Sequence, residues 1–133
     1  MASAGDMYRI VLNEAHLAWG EYRDSTNREP VSGEGYIPIP KQCAKEFEIY
    51  NSNYGVTKYG YNLFYASSAD GYLQGVTLLA QGCSEKGDIY AKQFSAQGNL
   101  KTIGSWYTHM GANPGNEVIV EWASSDTIFL TLI

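Results

Sequence analysis

The sequence predicts a mainly β fold, and three observations carry that expectation. Eleven of the 133 residues are Tyr, and four Phe and three Trp bring the aromatic share to 14%. Tyrosine suits a pleated, half-exposed surface and carries a polar tip, so a tyrosine-rich chain points to sheet with a contact face. Short apolar runs recur in the second half, with Gly71, Gly82, Gly87 and Gly98 in the gaps where hairpin turns need them. Helical periodicity, by contrast, is scarce. Closely spaced strands with turn signals predict a small barrel or sandwich. The length fits one domain over 1–133, with a flexible start at about 1–6 beginning Met1-Ala2-Ser3-Ala4-Gly5.

Taken in order, Tyr8-Arg9-Ile10-Val11-Leu12 can begin a strand or a short helix, since its alternation is poor. Gly20 to Gly35 is polar with few core residues and reads as a long loop or an exposed hairpin, a common place for binding residues on a β scaffold. Tyr36-Ile37-Pro38-Ile39-Pro40 reads as an edge segment, because its prolines cannot donate ladder bonds. Pro40 suits a first helical turn, so Lys41 to Phe47 is predicted helical with Cys43, Ala44 and Phe47 inward. Asn51-Ser52-Asn53-Tyr54-Gly55 is a turn cluster. Strands are predicted over Asn62–Ala66, Gly75–Gln81, Asp88–Phe94, Asn99–Ile103, Glu117–Trp122 and Thr127–Leu132, and a short helical turn anchored by Trp106 over Gly104–Met110.

Composition excludes several function classes. The two cysteines, Cys43 and Cys83, are too few for a disulfide framework or a zinc site and read as free thiols in a reducing cytoplasm, with one remote disulfide as the alternative. Apolar runs such as Thr127-Ile128-Phe129-Leu130 fall far short of the ~20 residues that cross a bilayer. No charged leader precedes an apolar stretch, so a soluble, intracellular protein is expected. Neither His16 nor His109 opens an H-E-x-x-H helix, and no acid-x-lysine element, G-K-[ST] loop or G-x-S-x-G elbow occurs. Glu117 and Glu121 share a strand face but read as solvated charges. The chain is therefore expected not to be an enzyme by itself and to need no cofactor or metal.

The net charge of −5 argues against a protein that coats nucleic acid nonspecifically. The distribution of that charge is more informative. No acid lies between Ile49 and Ala69, where Lys58 sits, or between Ile89 and Asn116, where Lys92, Lys101 and His109 sit. The second stretch also holds Gln93, Ser95, Gln97 and Asn99 around a predicted hairpin turn at Gly98. A protruding ribbon with amides and lysines but no carboxylates suits DNA, because phosphates need unopposed donors and Asn or Gln pairs bidentately with adenine. In the Gly20–Gly35 loop, Arg23 and Arg28 can fork onto guanine or phosphate. Glu21, Asp24, Glu29 and Glu34 lie close by, so local ion pairs in a solvated loop are the alternative there.

The order of these features resembles a known family. Gly35-Tyr36-Ile37-Pro38-Ile39-Pro40-Lys41-Gln42-Cys43-Ala44-Lys45-Glu46-Phe47 resembles the I-P-x-x-x-A-x-x-F strand-to-helix opening of B3-type DNA-binding domains. Such domains occur in plant transcription factors and as recognition domains of certain restriction endonucleases. Gly87-Asp88-Ile89-Tyr90-Ala91-Lys92-Gln93-Phe94 is similar to the strand entering the second DNA-contacting arm, and Gly104-Ser105-Trp106-Tyr107 to the G-W helix start. Pro114 to Trp122 is similar to the L-x-x-G-D-x-V-x-F strand, with Asn116 in place of the usual aspartate. The acidic total also departs from the plant pattern, and Tyr36–Pro40 with Lys92–Trp106 looks more like the bacterial restriction-enzyme branch.

The resemblance spans roughly Ala18 to Ile133. It implies an open seven-stranded β-pseudobarrel with two short helices near its ends and two arms that grip the major groove of double-stranded DNA. By position, the first arm falls on Arg23 to Arg28 and the second on Lys92 to Lys101. Arg23, Asn27, Arg28, Gln93, Gln97 and Asn99 would be base readers, and Ser25, Thr26, Lys92, Ser95 and Lys101 would hold phosphate. Ile39, Phe47, Trp106, Val118 and Val120 would be core. The expected function is sequence-specific recognition within a bacterial, cytoplasmic restriction endonuclease whose nuclease domain lies elsewhere in a longer chain. The alternative is a tyrosine-rich carbohydrate-binding module stacking sugars on Trp19, Trp106 or Tyr59.

Overall fold

A computed structural model describes residues 1–17, 35–53, 56–82 and 88–133. Seven strands among them form one mixed sheet, bent into a nearly closed barrel: β1 (Met7–Val11), β2 (Ile37–Pro38), β3 (Leu63–Ser68), β4 (Val76–Gln81), β5 (Gln93–Ala96), β6 (Glu117–Ser124) and β7 (Thr127–Leu132). Their order across the sheet is β1-β6-β7-β3-β4-β5-β2, and every pairing is antiparallel except β3 with β7. The expected β-pseudobarrel architecture is present.

The opening lies between β1 and β2, and its cause is local. β2 is only two residues long because Pro38 lacks the N–H that a second ladder would need. A side chain bridges the gap instead: the Tyr8 hydroxyl, on β1, donates to the Pro38 carbonyl at 3.0 Å. Tyr8 is buried, which pushes its phenol well above the ordinary range and keeps it a donor.

Alternation decides which side chains fill the barrel. Phe64 and Ala66 on β3, Leu78 and Ala80 on β4, Phe94 and Ala96 on β5, Val118, Val120 and Trp122 on β6, and Ile128 and Leu130 on β7 are all buried. Trp122 is the hub, with ring centroids 5.3 Å from Phe47, 6.1 Å from Phe64, 6.2 Å from Tyr8 and 6.5 Å from Phe94. The five residues expected in the core, Ile39, Phe47, Trp106, Val118 and Val120, are all there.

Two short helices sit at opposite ends of the sheet. α2 (Lys41–Glu46) follows β2 and turns Ala44 inward, with Cys43 half-buried. It stops without glycine: Glu48 takes φ 54°, and the Ile49 N–H returns to the Ala44 carbonyl at 2.8 Å. α3 (Thr102–Met110) follows β5, and α1 (Glu14–Leu17) is a single turn after β1.

Two expectations are corrected. Asn99–Ile103 is not a strand, because Ile103, Trp106, Tyr107 and Met110 repeat at helical spacing and the Asn99 side-chain oxygen accepts the Lys101 N–H at 3.0 Å, turning the chain into α3. Asp88–Phe94 is strand only from Gln93 onward, with a single bridge between Tyr90 and Tyr50 before it. At the start of the chain Ala2 is buried, the Gly5 N–H bonds the Trp122 carbonyl, and the terminal ammonium pairs with Glu48.

Candidate nucleic-acid interface

Strand direction sorts the expected second arm. β5 runs antiparallel to both its neighbours, with Gln93 opposite Pro38 and Gln81, the last residues of β2 and β4. Lys92 and Gln93 therefore lie at the end of the barrel that carries α2, whereas Gln97, Asn99 and Lys101 lie at the end that carries α3. The protruding ribbon expected over Lys92–Lys101 is not formed. Gly98, at φ 83°, does make a turn, but the chain leaves it as α3 instead of returning as a strand.

Gln93 and Ser95 point outward from β5, alternating with buried Phe94 and Ala96. Lys92 is exposed, yet its ammonium pairs with the Asp88 carboxylate at 3.0 Å. Gln93 is half-buried. Ser95 is only 6% exposed and its hydroxyl donates to Gln81 Oε1 at 2.9 Å, an engagement that leaves it poorly placed to hold a phosphate. Gln97 is exposed, with its backbone N–H on the Thr77 carbonyl. Asn99 is exposed, but its side-chain oxygen holds the turn described above. Lys101 is exposed and has no ion pair among the described residues. Gln81, on β4, joins this face without having been anticipated; its outward position follows from register, which one strand's sequence does not disclose.

Arg23, Ser25, Thr26, Asn27 and Arg28, the first arm, lie outside the described residues, as do Trp19 and Cys83. The points where that segment leaves and rejoins the barrel are described. The Tyr36 N–H bonds the His16 carbonyl at 3.3 Å, and their rings meet edge to face at 5.3 Å. Burial lowers the His16 imidazole below its ordinary value, and its Nδ1 accepts the Asn13 N–H at 3.1 Å. Gly35 then packs backbone to backbone on α3, since a Cβ there would stand 2.9 Å from Gly104 Cα. The Tyr107 hydroxyl adds a bond to the Tyr36 carbonyl at 2.8 Å. Both roots of the segment are therefore pinned at the α3 end, the end toward which β5 carries Gln97, Asn99 and Lys101.

At this same end Trp106 Nε1 donates to Asp70 Oδ1 at 2.9 Å, and the Tyr72 N–H reaches Asp70 Oδ2 at 3.0 Å. Tyr72 stacks on His109 with ring centroids 4.3 Å apart. Trp106 is wholly buried and offers no ring to a sugar, while one face of Tyr59 is covered by Tyr65 at 4.6 Å. Among the described residues no group of three or more His, Cys, Asp or Glu side chains is placed to hold a metal ion. No helix there is long and apolar enough to cross a membrane, and Cys43 is a free thiol held above its ordinary value chiefly by burial, with Glu46 adding to it. Comparison with protein-family models, with curated proteins and with solved structures finds no match for the chain.

Proposed function

We propose that this chain is a sequence-specific double-stranded DNA-recognition domain of the B3 type, the target-reading module of a bacterial, cytoplasmic restriction endonuclease whose cutting domain lies in a longer parent chain. One observation carries the reading. The segment bearing Arg23–Arg28 is rooted, through His16–Tyr36 and Gly35–Gly104, at the barrel end where β5 delivers Gln97, Asn99 and Lys101. The order of strands and helices that the B3 resemblance implies also supports it, with a helix directly after β2 and another bearing the buried Trp106. Groove readout of this kind uses side chains and ordered water and asks for no metal or small cofactor.

Selection from random duplex DNA by the purified domain should enrich one short sequence, and affinity for it should fall steeply as salt rises and counterions are released. Replacing Arg23 or Gln97 by alanine should weaken the selected site by ~1–3 kcal/mol, with little change on a scrambled duplex. Parent-like binding by both variants would show that the arms lie elsewhere. Salt-independent binding of a neutral glycan, with no duplex selected, would favour the carbohydrate alternative instead.

A further inference from the structure

Sequence patterning singled out Lys101 and His109 but not the surface they share. Lys101, Ser105, Thr108 and His109 fall at i, i+4, i+7 and i+8, the outward face of α3 opposite its buried Ile103, Trp106 and Tyr107. Together with Tyr72 from the β3–β4 turn and Gly104 they line a cavity of about 350 Å³. No carboxylate lines it among the described residues, and none occurs within α3. Asp70, whose carboxylate accepts from Trp106 Nε1 and the Tyr72 N–H, is not among the lining residues. One wall is the Tyr72–His109 stack, so the Tyr72 ring is covered on one face and is no open slot for a base or sugar. What remains is an ammonium with no ion pair among the described residues, a hydroxyl at Ser105 and an imidazole around a concave surface. Donors without an opposing carboxylate suit an oxyanion.

We infer that this face of α3 is a backbone clamp: the cavity takes a phosphodiester of duplex DNA, with Lys101 supplying the charge and Ser105 and His109 lining the seat. The inference rests on the DNA-recognition reading and decides which end of the pseudobarrel faces the duplex. The other end also carries cations, but the hollow that Lys41 and Lys92 line there is lined by the Asp88 carboxylate as well, which is paired with Lys92. A phosphate contact carries no sequence information, so its loss weakens every duplex alike.

The test measures binding of the selected duplex and of a scrambled duplex across a salt series. Lys101→Ala should weaken both by the same factor, roughly three- to tenfold, and flatten the slope of log affinity against log salt by about one. Lys101→Arg should restore the slope, and Ser105→Asp, on an exposed position, should weaken both duplexes further. Lys101→Gln gives the same readout with a longer stem, should Lys101→Ala loosen the start of α3. Parent-like affinity and slope in Lys101→Ala and Ser105→Asp, with the parent still selecting its site, overturn the clamp and leave the DNA reading standing. A loss confined to the selected duplex also overturns it, by making Lys101 a base reader. A parent that binds no duplex removes both proposals.

Discussion

Asp70 shows how much one side chain holds in place. Asp70 is exposed; partial desolvation by its neighbours would raise its carboxyl, but hydrogen bonds from Trp106 and from the Tyr72 N–H outweigh that and hold it below the ordinary 3.8. A carboxyl lowered on folding contributes stability that is complete above the unfolded-state value and fades as pH falls through the lower folded-state one. Trp106 is wholly buried, so Asp70→Ala strands an indole N–H. That should cost ~1–3 kcal/mol at neutral pH. The gap between parent and variant in denaturant melts should narrow as pH drops below the normal carboxylate range; a gap constant to pH 2 would remove the charge from this account. The sequence showed Trp106 as an anchor and Asp70 as the first acid after a long acid-free stretch. Their bond, 36 residues apart, was not visible.

At the level of elements, the decisive feature is how two poor edges meet. β1 is ordinary strand, while β2 is cut short by its prolines, so the barrel cannot close through a continuous ladder there. The Tyr8 hydroxyl on the Pro38 carbonyl is a bridge across that opening. Tyr8→Phe keeps the ring against Trp122 and removes only the bond. A loss of ~0.5–1.5 kcal/mol is expected, with faster amide exchange in residues 37 and 39 than in β6. Unchanged exchange at both would mean that the core alone holds the edges together. Most elements were legible because their patterns are local: the Pro-bounded edge, the helix after Pro40, and the alternating runs of β4, β6 and β7. The failure at Asn99–Ile103 is equally local, since Leu100 and Ile103 are its only apolar residues and the stretch is too short to show a period. The helix won because its apolar positions continue to Met110 and have buried partners to meet.

Across the whole molecule, the sheet is held by partners far apart in sequence: Tyr8 pairs with Val120, and Tyr65 with Thr127. Such pairings must close long loops before they return any stability, so folding in the millisecond-to-second range is expected. Stopped-flow refolding followed by tryptophan fluorescence reads this directly, because Trp106 and Trp122 are both buried; microsecond folding would contradict a barrel assembled from these distant strands. The net charge of −5 takes its meaning at this scale too. Read along the chain, the acid-free stretch from Ile89 to Asn116 looked like one arm. In three dimensions β5 divides it, placing Lys92 beside Asp88 at one end and Lys101 on an acid-free helix face at the other. The sequence alone determined the β class, the position of the helix after Pro40, the core residues and the stretches without carboxylates, all of which depend on residue type and short-range period. Only the tertiary structure decided which strands are neighbours, where the opening lies and which polar residues share a face. Those depend on strand direction and register, which are set when distant segments pair.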